Sequence, residues 1–138
     1  MQRAIDLQIE VQDGWLARNP RLSMVEIYGK WWKWINESPA HLAAIRLNYE
    51  AAALDPKVTG LTGDVRADQI GVWRHDVEKR LEADGLPHER AALEASLAKA
   101  TFTGLVMDLF ATGDHRRLNK VFAVFVDRLA AVVDAGRA

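Results

Sequence analysis

The sequence predicts an all-α domain, a bundle of five or six helices spanning residues 1–138. Three observations point there. No segment alternates apolar and polar residues for long, so the period-two signal of a half-buried strand is missing. Ala, Leu, Glu and Arg are abundant, and these residues lose little freedom in a helix. Stop and start signals recur at helix-sized intervals in "RNPR", "NESP", "DGLP" and "ATGD".

Each element follows from its punctuation. A first helix is expected from about Gln2 to Ala17, because Pro20 disfavours helical backbone at Asn19. A second starts near Ser23, with Glu26 placed to complete a capping box, and ends at "NESP". The third runs from Pro39, suited to a first helical turn, to Leu54 before "DP". A looser stretch, "KVTGLTGD", carries Gly60 and Gly63 and leads to a fourth helix over about Asp64 to Ala83. Gly71 weakens the start of that helix, and Gly85 is the expected residue just past its end. The fifth helix begins around Pro87 and stops at Gly113; Asp114 caps a sixth that reaches about Ala135.

Bulk properties narrow the function. The 138 residues suffice for one core and are too few for two ordinary domains. Apolar residues make up 49% and charged residues 27%, the balance of a soluble globular protein. Lys and Arg number 18 against 19 Asp and Glu, so no positive excess marks a nucleic-acid surface. With no cysteine, disulfides, thiolate metal sites and cysteine nucleophiles are excluded. No apolar run approaches the roughly 20 residues of a membrane span, and "MQRAIDLQIEVQDG" has no signal-peptide core. A cytoplasmic location is expected.

The stretch "YGKWWKWI" (28–35) concentrates Trp31, Trp32 and Trp34. On a helical wheel Ile27, Tyr28, Trp31, Trp32, Trp34 and Ile35 share an arc of roughly 160°. Glu26, Gly29, Lys30 and Lys33 lie opposite, with Glu26 four residues before Lys30 in the favoured order for an ion pair. The rings and the lysines point apart, which argues against a nucleic-acid stacking platform. Two readings stay open: ordinary core, or the wall of a buried pocket.

The fifth helix is apolar nearly all round. Leu97, Ala100, Gly104, Met107 and Ala111 form one stripe, and Phe102, Leu105, Val106, Leu109 and Phe110 occupy much of the rest. Such a helix must be covered on both sides. The sixth helix has a matching stripe of Leu118, Val121, Phe122, Phe125, Val126, Leu129, Val132 and Val133. A homodimer closed by these last two helices, four in all, satisfies both patterns; a central helix of a monomeric bundle is the alternative. Leu105, Leu109, Leu118, Phe122, Phe125 and Leu129 are the candidate interface residues.

With these residues placed, the chain resembles the C-terminal effector-binding and dimerisation domain of TetR-type transcriptional regulators. The resemblance rests on "LFATGDHRRLNKVFAVFVDRL" (109–129), "HLAAIRLNYEAAALDPKV" (41–58) and "DVEKRLEADGLPHERA" (76–91). The opening "AIDLQIEVQDGWLARNP" (4–20) is similar to the helix leading out of that family's DNA-binding head. The head itself has no counterpart here. The first 36 residues balance Arg3, Arg18, Arg21, Lys30 and Lys33 against Asp6, Glu10, Asp13 and Glu26. The resemblance implies a small-molecule pocket whose occupancy repositions DNA-binding heads supplied outside this chain.

The residues themselves offer a candidate pocket for a small hydrophobic effector. Trp31, Trp34, Tyr49, Trp73 and Phe102 or Met107 would line it, and Asn48 with the Tyr49 hydroxyl would orient a polar group. Asn48 and Tyr49 are equally readable as ordinary polar residues satisfied locally. No enzyme is expected: the chain lacks a phosphate loop, a G-x-S-x-G elbow and H-E-x-x-H, and no motif demands a cofactor. His41, His75, His88 and His115 sit on different elements, without the Glu-x-x-His pairs of a di-metal bundle, so surface or capping roles and no metal site are expected.

Overall fold

The computed structural model describes residues 18–53 and 74–137, and every regular element among them is helical. They are α1 (Met24–Glu37), α2 (Pro39–Ala53), α3 (residues 74–83), α4 (His88–Thr112) and α5 (His115–Gly136). The expected first helix, the "KVTGLTGD" stretch and the start of the fourth helix lie outside the described residues.

The ends of the helices are set by local chemistry. Ser23 is extended, its Oγ accepts the Glu26 N–H, and the Glu26 carboxylate accepts the Ser23 N–H at 2.9 Å, a complete capping box. Glu26 therefore turns back to the helix start. Ser38 adopts the extended conformation that precedes a proline, and its Oγ accepts the Ala40 N–H at the start of α2. α3 closes in a Schellman turn, with the Leu86 N–H on the Leu81 carbonyl and the Gly85 N–H on that of Glu82, both at 3.0 Å. Gly85 has φ of +112°, and a Cβ there would sit 2.8 Å from Arg137 Cγ, so both backbone and space require glycine. Between α4 and α5, Gly113 is left-handed (φ 62°) with its N–H on Leu109, and Asp114 accepts the Arg117 N–H.

One core joins the elements. α4 and α5 form a hairpin, α1 lies against α5 and α2, and α2 touches α4. Met24, Ile27, Tyr28, Trp31, Trp32 and Ile35 of α1 are buried, while Lys30 and Lys33 are exposed, as the wheel predicts. Trp34, at the edge of that arc, is only partly covered. Arg80 donates to the carbonyls of Asn19, Pro20 and Leu22, and Asp84 accepts the Met24 N–H, so the end of α3 holds the segment leading into α1.

The two apolar faces of α4 have different fates. Ala98, Phe102, Leu105, Val106 and Leu109 are buried in the chain's own core. The opposite stripe stays open: Leu93 is 70% exposed, Leu97 62% and Met107 50%. On α5, Leu118, Phe122, Leu129 and Val133 turn inward, whereas Val121 and Val124 are exposed.

Two glycine replacements separate conformational need from simple helix propensity. Gly85→Ala is expected to destabilise the fold by about 1–3 kcal/mol, the usual cost of a strained backbone conformation. Gly29→Ala, in mid-α1 with nothing within 4 Å of the new methyl, is expected to stabilise it by about 1 kcal/mol. Urea denaturation of both variants measures the two signs.

Candidate functional site

The aromatic residues of α1 divide into two groups that the wheel places together. Trp31 stacks on Trp34 (centroids 5.2 Å apart, planes 15° apart), and Trp34 stacks on His41 of α2 at 4.0 Å. The His41 ring is held flat against the indole because Nδ1 donates to the Trp34 carbonyl at 2.7 Å. Trp32 and Tyr28 instead face the α4–α5 hairpin. Trp32 stacks on Phe122 (5.0 Å, 9°) and stands edge-on to Phe102; Tyr28 packs against Phe102 and Phe125, both at 5.2 Å.

This arrangement redistributes the candidate pocket residues. Trp31 and Phe102 are each 2% exposed, but Phe102 meets Trp32 and Tyr28 of the second group. Met107 does not join them. It lies on the open stripe of α4, half exposed, because that residue falls on the side of the helix away from α1. The side chains of Asn48 and Tyr49, and Trp73, lie outside the described residues. What the structure brings together from the expected set is the Trp31–Trp34 pair, with His41 as an added third layer.

The candidate interface residues are similarly redistributed. Leu105, Leu109, Leu118, Phe122 and Leu129 are between 1% and 8% exposed within the single chain, so they have almost no surface left to bury against a partner. Phe125, half-buried, is the one that reaches the surface. It lines an open groove of about 510 Å³ between α4 and α5, walled by Leu97, Thr101, Val121, Val124 and Val132. Glu94 and Arg128 supply charge there. The sequence pattern contains these residues but does not show which of them the chain covers for itself.

Polar side chains tie α1 to α5 in two rungs one helical turn apart. The Trp32 indole N–H donates to Asn119 Oδ1 at 2.8 Å. One turn along, Asn36 donates to the Trp32 carbonyl while its Oδ1 accepts from His115 Nδ1 at 2.7 Å. Nothing in the sequence flags Asn36 or Asn119, since each bond joins residues about 80 positions apart. Across the α4–α5 turn, Arg117 binds Asp108 at 2.6 Å and also pairs with Asp114. The Arg117 hydrogen bonds hold the Asp108 carboxyl below the usual carboxylate range.

Burial, with the Arg74 charge adding, pushes the Lys99 ammonium of α4 down to about 8. Where α3 turns into α4, Glu78, Glu82 and His88 converge, with their ligand atoms all within 4.8 Å of one another. The hydrogen bond to Glu82, with the charge of that carboxylate, raises the pKa of the His88 imidazole above its ordinary value. No described helix is long and apolar enough to cross a membrane. Comparison of the chain with protein families, with curated proteins and with solved structures finds no match.

Asn119→Ala is expected to cost about 1 kcal/mol, since it strips the Trp32 N–H of its acceptor. In the background of Trp32→Phe, which lacks that donor, the same change should cost much less; urea midpoints of the four-protein cycle measure the coupling. Lys99 gives a pH signature. Its folded pKa lies below its unfolded value, so its charge weakens the fold fully below about pH 8, and the penalty fades as pH rises from there towards the unfolded value of 10.5. Lys99→Met is therefore expected to be more stable than the parent at pH 7, and its advantage should shrink between pH 8 and 10.5 in thermal melts.

Proposed function

We propose that this chain is the effector-sensing, dimerising domain of a TetR-type transcriptional regulator. In this reading two copies form a homodimer in the cytoplasm. DNA is contacted through a helix-turn-helix head that these residues do not contain, and a small hydrophobic effector governs that contact. The observation that carries the proposal is the open apolar groove along α4 and α5. Val121, Val124 and Leu97 are large, apolar and 41–62% exposed, and they adjoin the groove's half-buried Phe125. An exposed apolar surface of this kind marks an interaction site. Two copies related by a two-fold axis would bury it in a four-helix arrangement. Of the charges on its walls, Glu94 is already paired with Arg90 within the chain, which leaves Arg128 to face a partner.

The effector part of the proposal rests on the Trp31–Trp34–His41 stack. It combines large apolar faces with one imidazole ring, and Trp34 and His41 are only partly covered. An aromatic or flat apolar ligand is the chemistry such a stack accepts. A second reading, a helical domain whose tryptophans are structural, is favoured by the burial of Trp31 and Trp32 at 2% and 6% exposure.

Light scattering and tryptophan fluorescence separate the two readings. The parent chain is expected to be a dimer, and Val121→Glu or Leu97→Glu a folded monomer, because both side chains are exposed in the single chain. Phe125→Glu is expected to lower stability as well, since Phe125 packs on Tyr28. A panel of aromatic and aliphatic ligands should quench the parent's fluorescence, and Trp34→Leu should abolish that quenching. A monomeric parent would overturn the dimer. Fluorescence unmoved by the whole panel leaves the structural reading in its place.

A further inference from the structure

We propose that Glu78, Glu82 and His88 form a binding site for a borderline divalent cation of the Zn²⁺ type, bridging the end of α3 to the start of α4. The donor set is mixed, two carboxylate oxygens and one imidazole nitrogen, which suits zinc and its neighbours better than calcium or magnesium. Glu78 and Glu82 are four residues apart, so both carboxylates leave α3 on one face and one turn apart. His88 arrives from across the turn. Its Nδ1 lies 2.7 Å from Glu82 Oε1 and 3.9 Å from Glu78 Oε1. A tetrahedral ion with bonds of about 2.0–2.2 Å sets its ligand atoms roughly 3.3–3.6 Å apart. The observed spacings straddle that range, so small side-chain rotations bring three ligands onto one ion, and water fills the fourth position.

The backbone holds the ligands in place. Gly85 closes the Schellman turn, Leu86 is buried in the core, and Pro87 has the fixed backbone angle that leads into α4 at His88. The Arg137 Nε–H donates to the Asp84 carbonyl from the far end of α5, which anchors the same turn. The charge balance also favours a cation. Among the described residues the ion pairs of Glu78 and Glu82 are both with His88, and Glu89 adds a further negative charge beside it. The nearby arginines are engaged elsewhere, Arg80 on the carbonyls of Asn19, Pro20 and Leu22 and Arg90 on Glu94. The inference is independent of the effector reading, because the site lies at the α3–α4 turn and shares no residue with the Trp31–Trp34–His41 stack.

The test is titration of the tag-free full chain with ZnCl₂ by calorimetry and with CoCl₂ by visible absorption, with MgCl₂ as the control. One Zn²⁺ per chain is expected, with the d–d bands of a four-coordinate Co²⁺ and no heat from Mg²⁺. His88→Gln and Glu82→Gln should each weaken Zn²⁺ binding by about tenfold or more, and Glu78→Gln should do the same. His75→Ala, on α3 but outside the set, should leave it unchanged. All three ligand side chains reach the surface, and helicity by circular dichroism checks that each variant keeps its fold. Absence of Zn²⁺ binding in the parent overturns the proposal, and so does binding that survives His88→Gln or that His75→Ala removes.

Discussion

Trp32 lies face to face on Phe122 and at the same time donates its indole N–H to Asn119, and these two contacts govern how α1 sits on the α4–α5 hairpin. Stacking alone tolerates sliding, because an aromatic face offers a broad surface. A single N–H has one direction, so its acceptor determines the position along the helix. The second rung, from His115 through Asn36 to the Trp32 carbonyl, repeats the constraint one turn away on both helices. Shifting α1 by a turn would break both rungs and pull Tyr28 from Phe102 and Phe125. The register of the whole core follows from this crossing.

Covering one side of the hairpin with α1 leaves its other side open. Phe102, Leu105, Leu109 and Phe122 are buried by the chain itself, while Leu93, Leu97, Val121 and Val124 are not. The exposed stripe lies on the side of the hairpin away from the Trp32 contacts. Among the described residues, the groove beside Phe125 is where the second apolar face of α4 lacks cover. The proposed dimer would use the open rim residues as its surface in place of the inner leucines.

Legibility in the sequence differs by the range of the interaction. The capping box of Ser23 and Glu26, the turn at Gly85 and the cap at Asp114 are readable because each joins residues at most five apart. The inward face of α1 is readable too, since lysines and rings alternate at helical spacing. The candidate site was only partly legible. Trp31 and Trp32 fall in the same arc of the wheel, yet Trp31 stacks on Trp34 three residues along α1, while Trp32 faces Phe122 of α5. Met107 looked like a pocket residue by type, and its side of α4 faces away from α1. Glu78, Glu82 and His88 form no known spacing pattern, because a turn with left-handed character at Gly85 is needed to fold the histidine back.

By itself, then, the sequence determined that the described elements are helical, where α1, α4 and α5 begin, where α1, α3 and α4 end, and which face of α1 turns inward. Those outcomes depend on energies acting within a turn or two of helix: caps, propensities and the spacing of apolar residues. Only the tertiary structure decided which face of α4 becomes core and which stays open, and which aromatic rings meet. Both faces of α4 are apolar, so their burial energies are similar and local pattern cannot rank them. The choice goes with where α1 lands, where Trp32 stacks on Phe122, Tyr28 meets Phe102 and Phe125, and the Trp32 indole donates to Asn119, 87 positions away.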